Sequence, residues 1–115
     1  MINIAQFDNK SSYIDQQIIN HLKHFKNDLI TVEGVFLVVL FGSYSKGTYD
    51  RNSDIDIAVF VDKELNPYNF YKYAQKLTMK YPYDIQVLIF NKDELADPIG
   101  IVEEVAEYGK DITSL

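Results

Sequence analysis

Two carboxylates, Asp54 and Asp56, follow shortly after a turn that runs Gly42-Ser43-Tyr44-Ser45-Lys46-Gly47. Side chains alternate along a strand, so Asp54 and Asp56 share one face while Ile55 and Ile57 of the strand Ile55-Asp56-Ile57-Ala58-Val59-Phe60-Val61 point into the core. Neighbouring carboxylates repel, and each raises the other's proton affinity unless a cation lies between them. Magnesium suits such a pair, because it binds a few carboxylates, retains waters and takes phosphate oxygens as further ligands. The turn supplies the complementary half. Gly42 and Gly47 permit backbone conformations and close approaches that side chains block, while backbone N–H groups and the Ser43 hydroxyl donate to phosphate oxygens. Lys46 and Arg51 are the nearby cations. A third acid, Asp84, opens a later apolar run; if that strand lies about 4.8 Å from the Asp56 strand, Asp84 joins the cluster. Three carboxylates on adjacent strands can hold two ions about 4 Å apart.

The turn is not a P-loop, because Thr48 follows Gly47 where Lys-Ser or Lys-Thr is required, and no Gly-x-Gly-x-x-Gly fingerprint is present. A nucleotide reading therefore rests on turn and carboxylates together.

The elements that position these residues follow from periodicity. Ser12 is a candidate N-cap for a helix whose apolar stripe is Ile14, Ile18, Leu22, Phe25 and Leu29. Gly34 breaks that pattern, and Val35 to Phe41 is a β-branched and aromatic run of the kind buried on both faces, expected as the central strand. A polar loop or short helix spans Thr48 to Ser53, and the second strand is Ile55 to Val61. Asn66-Pro67 starts a helix with Phe70, Ala74, Leu77 and Tyr81 on one face, ending at Pro82. Tyr83 to Phe90 is the third strand. Asp97-Pro98 repeats the cap-and-proline signal for a last helix with Ile101, Val102, Val105 and Ala106 buried and Gly109 as its stop. The expected fold class is α/β (α+β): a small mixed β-sheet with helices packed against it, in a single domain over residues 1–115.

Composition narrows the class further. With 47% apolar and 24% charged residues the chain is an ordered globular protein. Its 115 residues are too few for a catalytic module plus a full substrate-binding module. A net charge of -6 argues against a long nucleic acid as main partner, since phosphate neutralisation needs a clustered basic face. The absence of Cys excludes disulfides, zinc-thiolate sites and thiol catalysis. No basic leader precedes an apolar run and no stretch approaches the roughly 20 apolar residues of a membrane span, so the expectation is a soluble, cytoplasmic protein.

Gly42-Ser43, ten intervening residues, then Asp54-x-Asp56 in an apolar strand and a later apolar-Asp84-apolar strand resembles the signature of the DNA polymerase beta-type nucleotidyltransferase superfamily. The short chain and the wording Gly-Ser-Tyr-Ser-Lys-Gly…Ser-Asp-Ile-Asp-Ile are most similar to its minimal nucleotidyltransferase (MNT) branch, over residues 35–90. The resemblance implies attack on the alpha phosphate of a nucleoside triphosphate, with ATP as donor of AMP and two Mg2+ ions. By the same resemblance Asp54 and Asp56 hold the metals, Gly42 and Ser43 bind the beta and gamma phosphates with Lys46 and Gly47 in the same turn, and Asp84 completes one metal site and helps deprotonate the acceptor hydroxyl. Many relatives carry Arg inside this turn; here Tyr44 and Lys46 stand there, and Lys lacks the bidentate fork. Minimal members are commonly encoded beside a small helical HEPN protein and act as its antitoxin, in characterised cases by transferring AMP to a tyrosine. The resemblance thus implies a HEPN toxin as partner, with a homo- or hetero-oligomer compatible. Two alternatives stay open: a non-enzymatic antitoxin or nucleotide-binding module that neutralises its partner by covering it, and the catalytic subunit of a two-chain enzyme acting on a small molecule of aminoglycoside type.

Other residues have simpler readings. His21 and His24 lie three apart on the first helix and are expected as boundary histidines, there being no third metal ligand nearby. Tyr44, Tyr49, Tyr68 and Tyr71 are candidates for exposed rings that meet a partner or stack a base. Glu103, Glu104 and Glu107 are expected on the solvated face of the last helix.

Overall fold

The two most apolar runs pair with each other. β2 (Val35–Phe41) and β3 (Ile55–Val61) are antiparallel, with Phe41 opposite Asp56, and a register shift falls between Val35 and Leu37. The computed structural model describes residues 4–10 and 13–115. Alongside β3 lies β4 (Ile85–Asn91) in parallel, with Asp56 opposite Gln86. Two short strands complete the other edge: β1 (Ala5–Gln6) is parallel to β5 (Lys110–Asp111), and β5 is antiparallel to β2. The order β1-β5-β2-β3-β4 is a mixed sheet with β2 at its centre, as its uninterrupted apolar run leads one to expect.

Each face of the sheet has its own core. α1 (Gln16–Ile30) and α3 (Pro67–Thr78) cover one face, where Leu22, Phe25, Leu29, Phe70, Ala74 and Leu77 meet Val38, Leu40, Ile57 and Val59. On the other face lies α4 (Ile101–Tyr108), whose Val102 and Val105 pack with Val39, Phe41, Ala58, Phe60 and Leu95. The strict alternation along β3 puts Asp56 on the face that Ala58 and Phe60 occupy, which is the α4 face.

Helix ends differ from expectation in three places. Ser12 lies outside the described residues, and Asp15 caps α1, its carboxylate accepting from Gln17 N–H at 2.7 Å. α3 starts at Asn66-Pro67 as expected, with the Asn66 side chain accepting from Asn69 N–H, but ends at Thr78 rather than at Pro82. Proline disfavours helical geometry in the residue before it, and the chain leaves the helix through short-range bonds from Met79, Lys80 and Tyr81 N–H to Lys76, Leu77 and Thr78 carbonyls. Asp97-Pro98 does not start the last helix. A 3-10 turn over Lys92–Ala96, opened by an Asn91 and Glu94 capping box, ends on Asp97 as its C-cap, and α4 begins after Gly100.

Gly109 ends α4 with φ -67°, so its glycine is required by space rather than by backbone handedness. A Cβ there would overlap the Val105 carbonyl oxygen and reach within 2.6 Å of Val39 Cγ1. Gly109→Ala is expected to lower stability by about 1–3 kcal/mol through this overpacking, seen as a lower denaturation midpoint with an unchanged slope.

Candidate functional site

β2 runs directly into the glycine-bracketed turn. Gly42 has φ 72° and ψ -151°, a conformation closed to side chains, and a Cβ there would overlap Asp56 Oδ2 and sit 3.1 Å from its Cγ. The backbone of the turn and the second carboxylate are therefore in direct apposition. The Gly42 carbonyl accepts from Lys46 N–H at 3.2 Å and from the Ser45 hydroxyl at 2.9 Å, winding Ser43–Lys46 into one helical turn, α2. Gly47, at φ 76°, closes it in the left-handed region, and its N–H and that of Thr48 both donate to the Ser43 carbonyl.

Two side chains pin this turn to opposite faces of the sheet. Tyr44 is buried in the α1/α3 core and stacks on half-buried Tyr49, ring centroids 4.4 Å apart at 9°, while the Tyr49 hydroxyl donates to the Tyr13 carbonyl at 2.7 Å. Burial, followed by Tyr49, Tyr83 and Asp50, holds the Tyr44 phenol above its ordinary range. Tyr44 is thus an anchor, which corrects the expectation of an exposed ring; Tyr68 and Tyr71 are exposed as anticipated. On the other face Lys46 Nζ reaches Glu104 Oε1 of α4 at 2.6 Å and lies 4.9 Å from the centre of the Tyr108 ring. Glu104 is half-buried and engaged rather than simply solvated. Periodicity offered no sign of this, because the contact joins residues 58 apart.

The acids enter from the adjoining elements. A tight loop sets Asp54: Asp50 N–H donates to the Ser53 hydroxyl at 2.9 Å, Asn52 N–H to Asp50 Oδ1 at 2.7 Å and Ser53 N–H to the Asp50 carbonyl at 3.0 Å. Ile55 N–H then donates to the Asp84 carbonyl at 2.8 Å, tying the entrance of β3 to that of β4. Asp54 and Asp84 line one hollow together, and Asp84 shares another with Arg51 and Ser53. Asp56 is the electrostatic centre: burial first, then the charges of Asp54 and Glu104, hold its carboxyl above the usual carboxylate range. Among the described residues no three potential ligands lie close enough to form a complete metal cage by themselves. His21 packs its ring against Tyr81 and Tyr83, at 5.5 and 5.3 Å.

Residues 16–114 match the family described as Polymerase beta, Nucleotidyltransferase. The chain belongs to this nucleotidyltransferase family. A Methanocaldococcus jannaschii protein named as a protein adenylyltransferase is 32% identical over 102 residues, covering 84% of this chain and 99% of that one. The protein adenylyltransferase MntA of Shewanella oneidensis is 46% identical over 76 residues, 66% of this chain and 52% of that one. A chain in the crystal structure of a toxin–antitoxin with AMP-PNP superposes with a TM-score of 0.57 at 32% identity, covering 80% of this chain and 69% of that one. This nucleotidyltransferase therefore has both the fold and the enzyme class that its Gly-Ser and Asp-x-Asp elements led one to expect. No helix among its described residues is long and apolar enough to cross a membrane.

Proposed function

We propose that this nucleotidyltransferase transfers AMP from ATP to a side-chain hydroxyl of a small helical partner protein of the HEPN class, and thereby acts as its antitoxin. The observation that carries the chemistry is the apposition of Asp56 with Gly42, which brings a charge-burdened carboxylate against the turn suited to phosphate. The acceptor class is supported by likeness to relatives named as protein adenylyltransferases and to a toxin–antitoxin structure containing AMP-PNP.

The residues present fit a divalent cation. Asp56 is burdened by burial and by two further carboxylates, Asp54 and Glu104, and a cation relieves that burden. Asp54 and Asp56 would hold Mg2+, the remaining positions being suited to waters and phosphate oxygens, and Asp84 stands at the adjacent strand entrance. When bound, Mg2+ neutralises charge on the attacking and leaving oxygens. The chain's own groups do the rest. Backbone N–H groups of the turn and the Ser43 hydroxyl bind the beta and gamma phosphates, with Lys46 beside them. The acceptor oxygen attacks the alpha phosphorus, the bond from alpha phosphorus to the bridging oxygen breaks, and pyrophosphate departs. Asp84 takes the acceptor proton.

The test is transfer of label from alpha-labelled ATP, with Mg2+, to the product of the adjacent gene purified as a complex with this chain. Label on the partner is the expected result. Neutralisation of the partner without transfer, retained after both Asp54 and Asp56 are changed to Asn, would select a purely binding antitoxin instead.

A further inference from the structure

We propose that Glu104 is a positioning residue that competes with an incoming triphosphate for Lys46, and that transfer of Lys46 from Glu104 to phosphate couples nucleotide binding to divalent-cation binding. The inference rests on the nucleotide site described above. Its geometry is specific. Lys46 ends the single turn of α2 that follows Gly42, yet its ammonium lies 2.6 Å from Glu104 Oε1 on α4. Both side chains are partly solvent-exposed, at 34% and 41%, so water can replace either partner and the exchange is inexpensive. Tyr108, one helical turn beyond Glu104, presents its ring 4.9 Å from the same ammonium.

The consequence of release falls on the acids. α4 packs over the sheet face on which Asp56 lies, and Glu104 is one of the two carboxylates whose charge Asp56 experiences. While Lys46 neutralises Glu104, that burden is partly compensated. Once Lys46 is engaged by phosphate, Glu104 joins Asp54 and Asp56 as an uncompensated negative charge, and the demand for a cation rises. Nucleotide alone is then a poorer ligand than nucleotide with metal, for a reason located in α4 rather than in the acids themselves. Glu103 and Glu107 are exposed on the same helix and provide charge-matched comparison positions.

The measurement is equilibrium binding of a fluorescent ATP analogue to the full chain, once with EDTA and once with Mg2+. Wild type is expected to bind more tightly with Mg2+. Glu104→Gln should tighten binding in EDTA by about two- to fivefold, the strength of an exposed ion pair, and reduce the ratio of the two dissociation constants by a similar factor. Glu103→Gln, with the same change in net charge, should leave both constants as in wild type. Lys46→Met should weaken binding, and adding Glu104→Gln to it should produce no tightening in EDTA, because the competed-for cation is gone. The proposal is overturned if Glu104→Gln changes neither constant, if Glu103→Gln reproduces its effect, or if the tightening survives in the Lys46→Met background. If wild type binds the analogue in neither buffer, the nucleotide reading of the site itself falls and the competition with it; binding by wild type with an inert Glu104→Gln removes the competition alone.

Discussion

Asp56→Asn is expected to reduce transfer of label from ATP by about 10²–10³-fold or more while leaving the protein as stable as wild type, or more stable, at neutral pH. The two halves of this result have one cause. The Asp56 carboxyl is held above its ordinary value by burial, then by Asp54 and Glu104. A carboxyl whose affinity for protons is greater in the folded than in the unfolded chain contributes stability at acid pH, below the unfolded value, and that contribution is lost as pH rises through the folded value. At neutral pH the ionised group therefore burdens the fold, and Asn, which carries no charge, removes the burden. Melting temperatures should show the variant equal to or above wild type near pH 7, with the difference shrinking as pH falls and Asp56 in wild type takes up its proton. Mg2+ should raise the wild-type melting temperature more than that of the variant. Transfer at the wild-type rate would sink the assignment of Asp56 to the metal, and a large loss of stability at neutral pH would sink the electrostatic account.

Gly42→Ala is expected to impair stability and activity together. The backbone there sits at φ 72°, and a new Cβ would overlap Asp56 Oδ2, so the variant must strain the turn, move the carboxylate, or both. A cost of about 2–5 kcal/mol follows from adding backbone strain to the clash. Gly47→Ala separates these contributions. Gly47 also has positive φ, 76°, yet a Cβ there meets nothing within 4 Å, so only the backbone cost of about 1–2 kcal/mol applies. Chemical denaturation of the two variants should rank Gly42→Ala clearly below Gly47→Ala. Equal losses would mean that the contact with Asp56 carries no weight.

Much of the fold was legible because its determinants are local. The run from Val35 to Phe41 has no polar residue, and the strand it forms is central and buried on both faces at its C-terminal half. β3 has the expected limits, Ile55 to Val61, because apolar residues continue on both parities from Ile57 until Asp62. Asn66-Pro67 starts α3 because capping and proline geometry act within one turn. The same signal at Asp97-Pro98 failed for the reason that local signals do: an Asn91 to Glu94 capping box upstream had already committed the chain to a 3-10 turn, and Gly100 reset its direction. Tyr44 was misplaced because a ring in a six-residue polar turn carries no sign of which sheet face the turn leans upon.

For the candidate site, the amino-acid sequence by itself determined the chemical parts: a glycine-bracketed turn, two acids of one strand parity, a third acid opening a later strand, and the family to which this spacing corresponds. These are properties of residue type and short spacing, which the strand period transmits without reference to the rest of the chain. Only the tertiary structure decided what surrounds them. The parallel pairing of β3 with β4 brings the entrance of Asp84 beside that of Asp54, and the packing of α4 on the Asp56 face brings Glu104 to Lys46. Both depend on where a later segment lands after the chain has turned back, and no local period encodes the distance between residues 46 and 104. The turn and the Asp-x-Asp pair therefore lie in one short stretch, while Asp84 and Glu104 reach them from later segments through the packing of the sheet and α4.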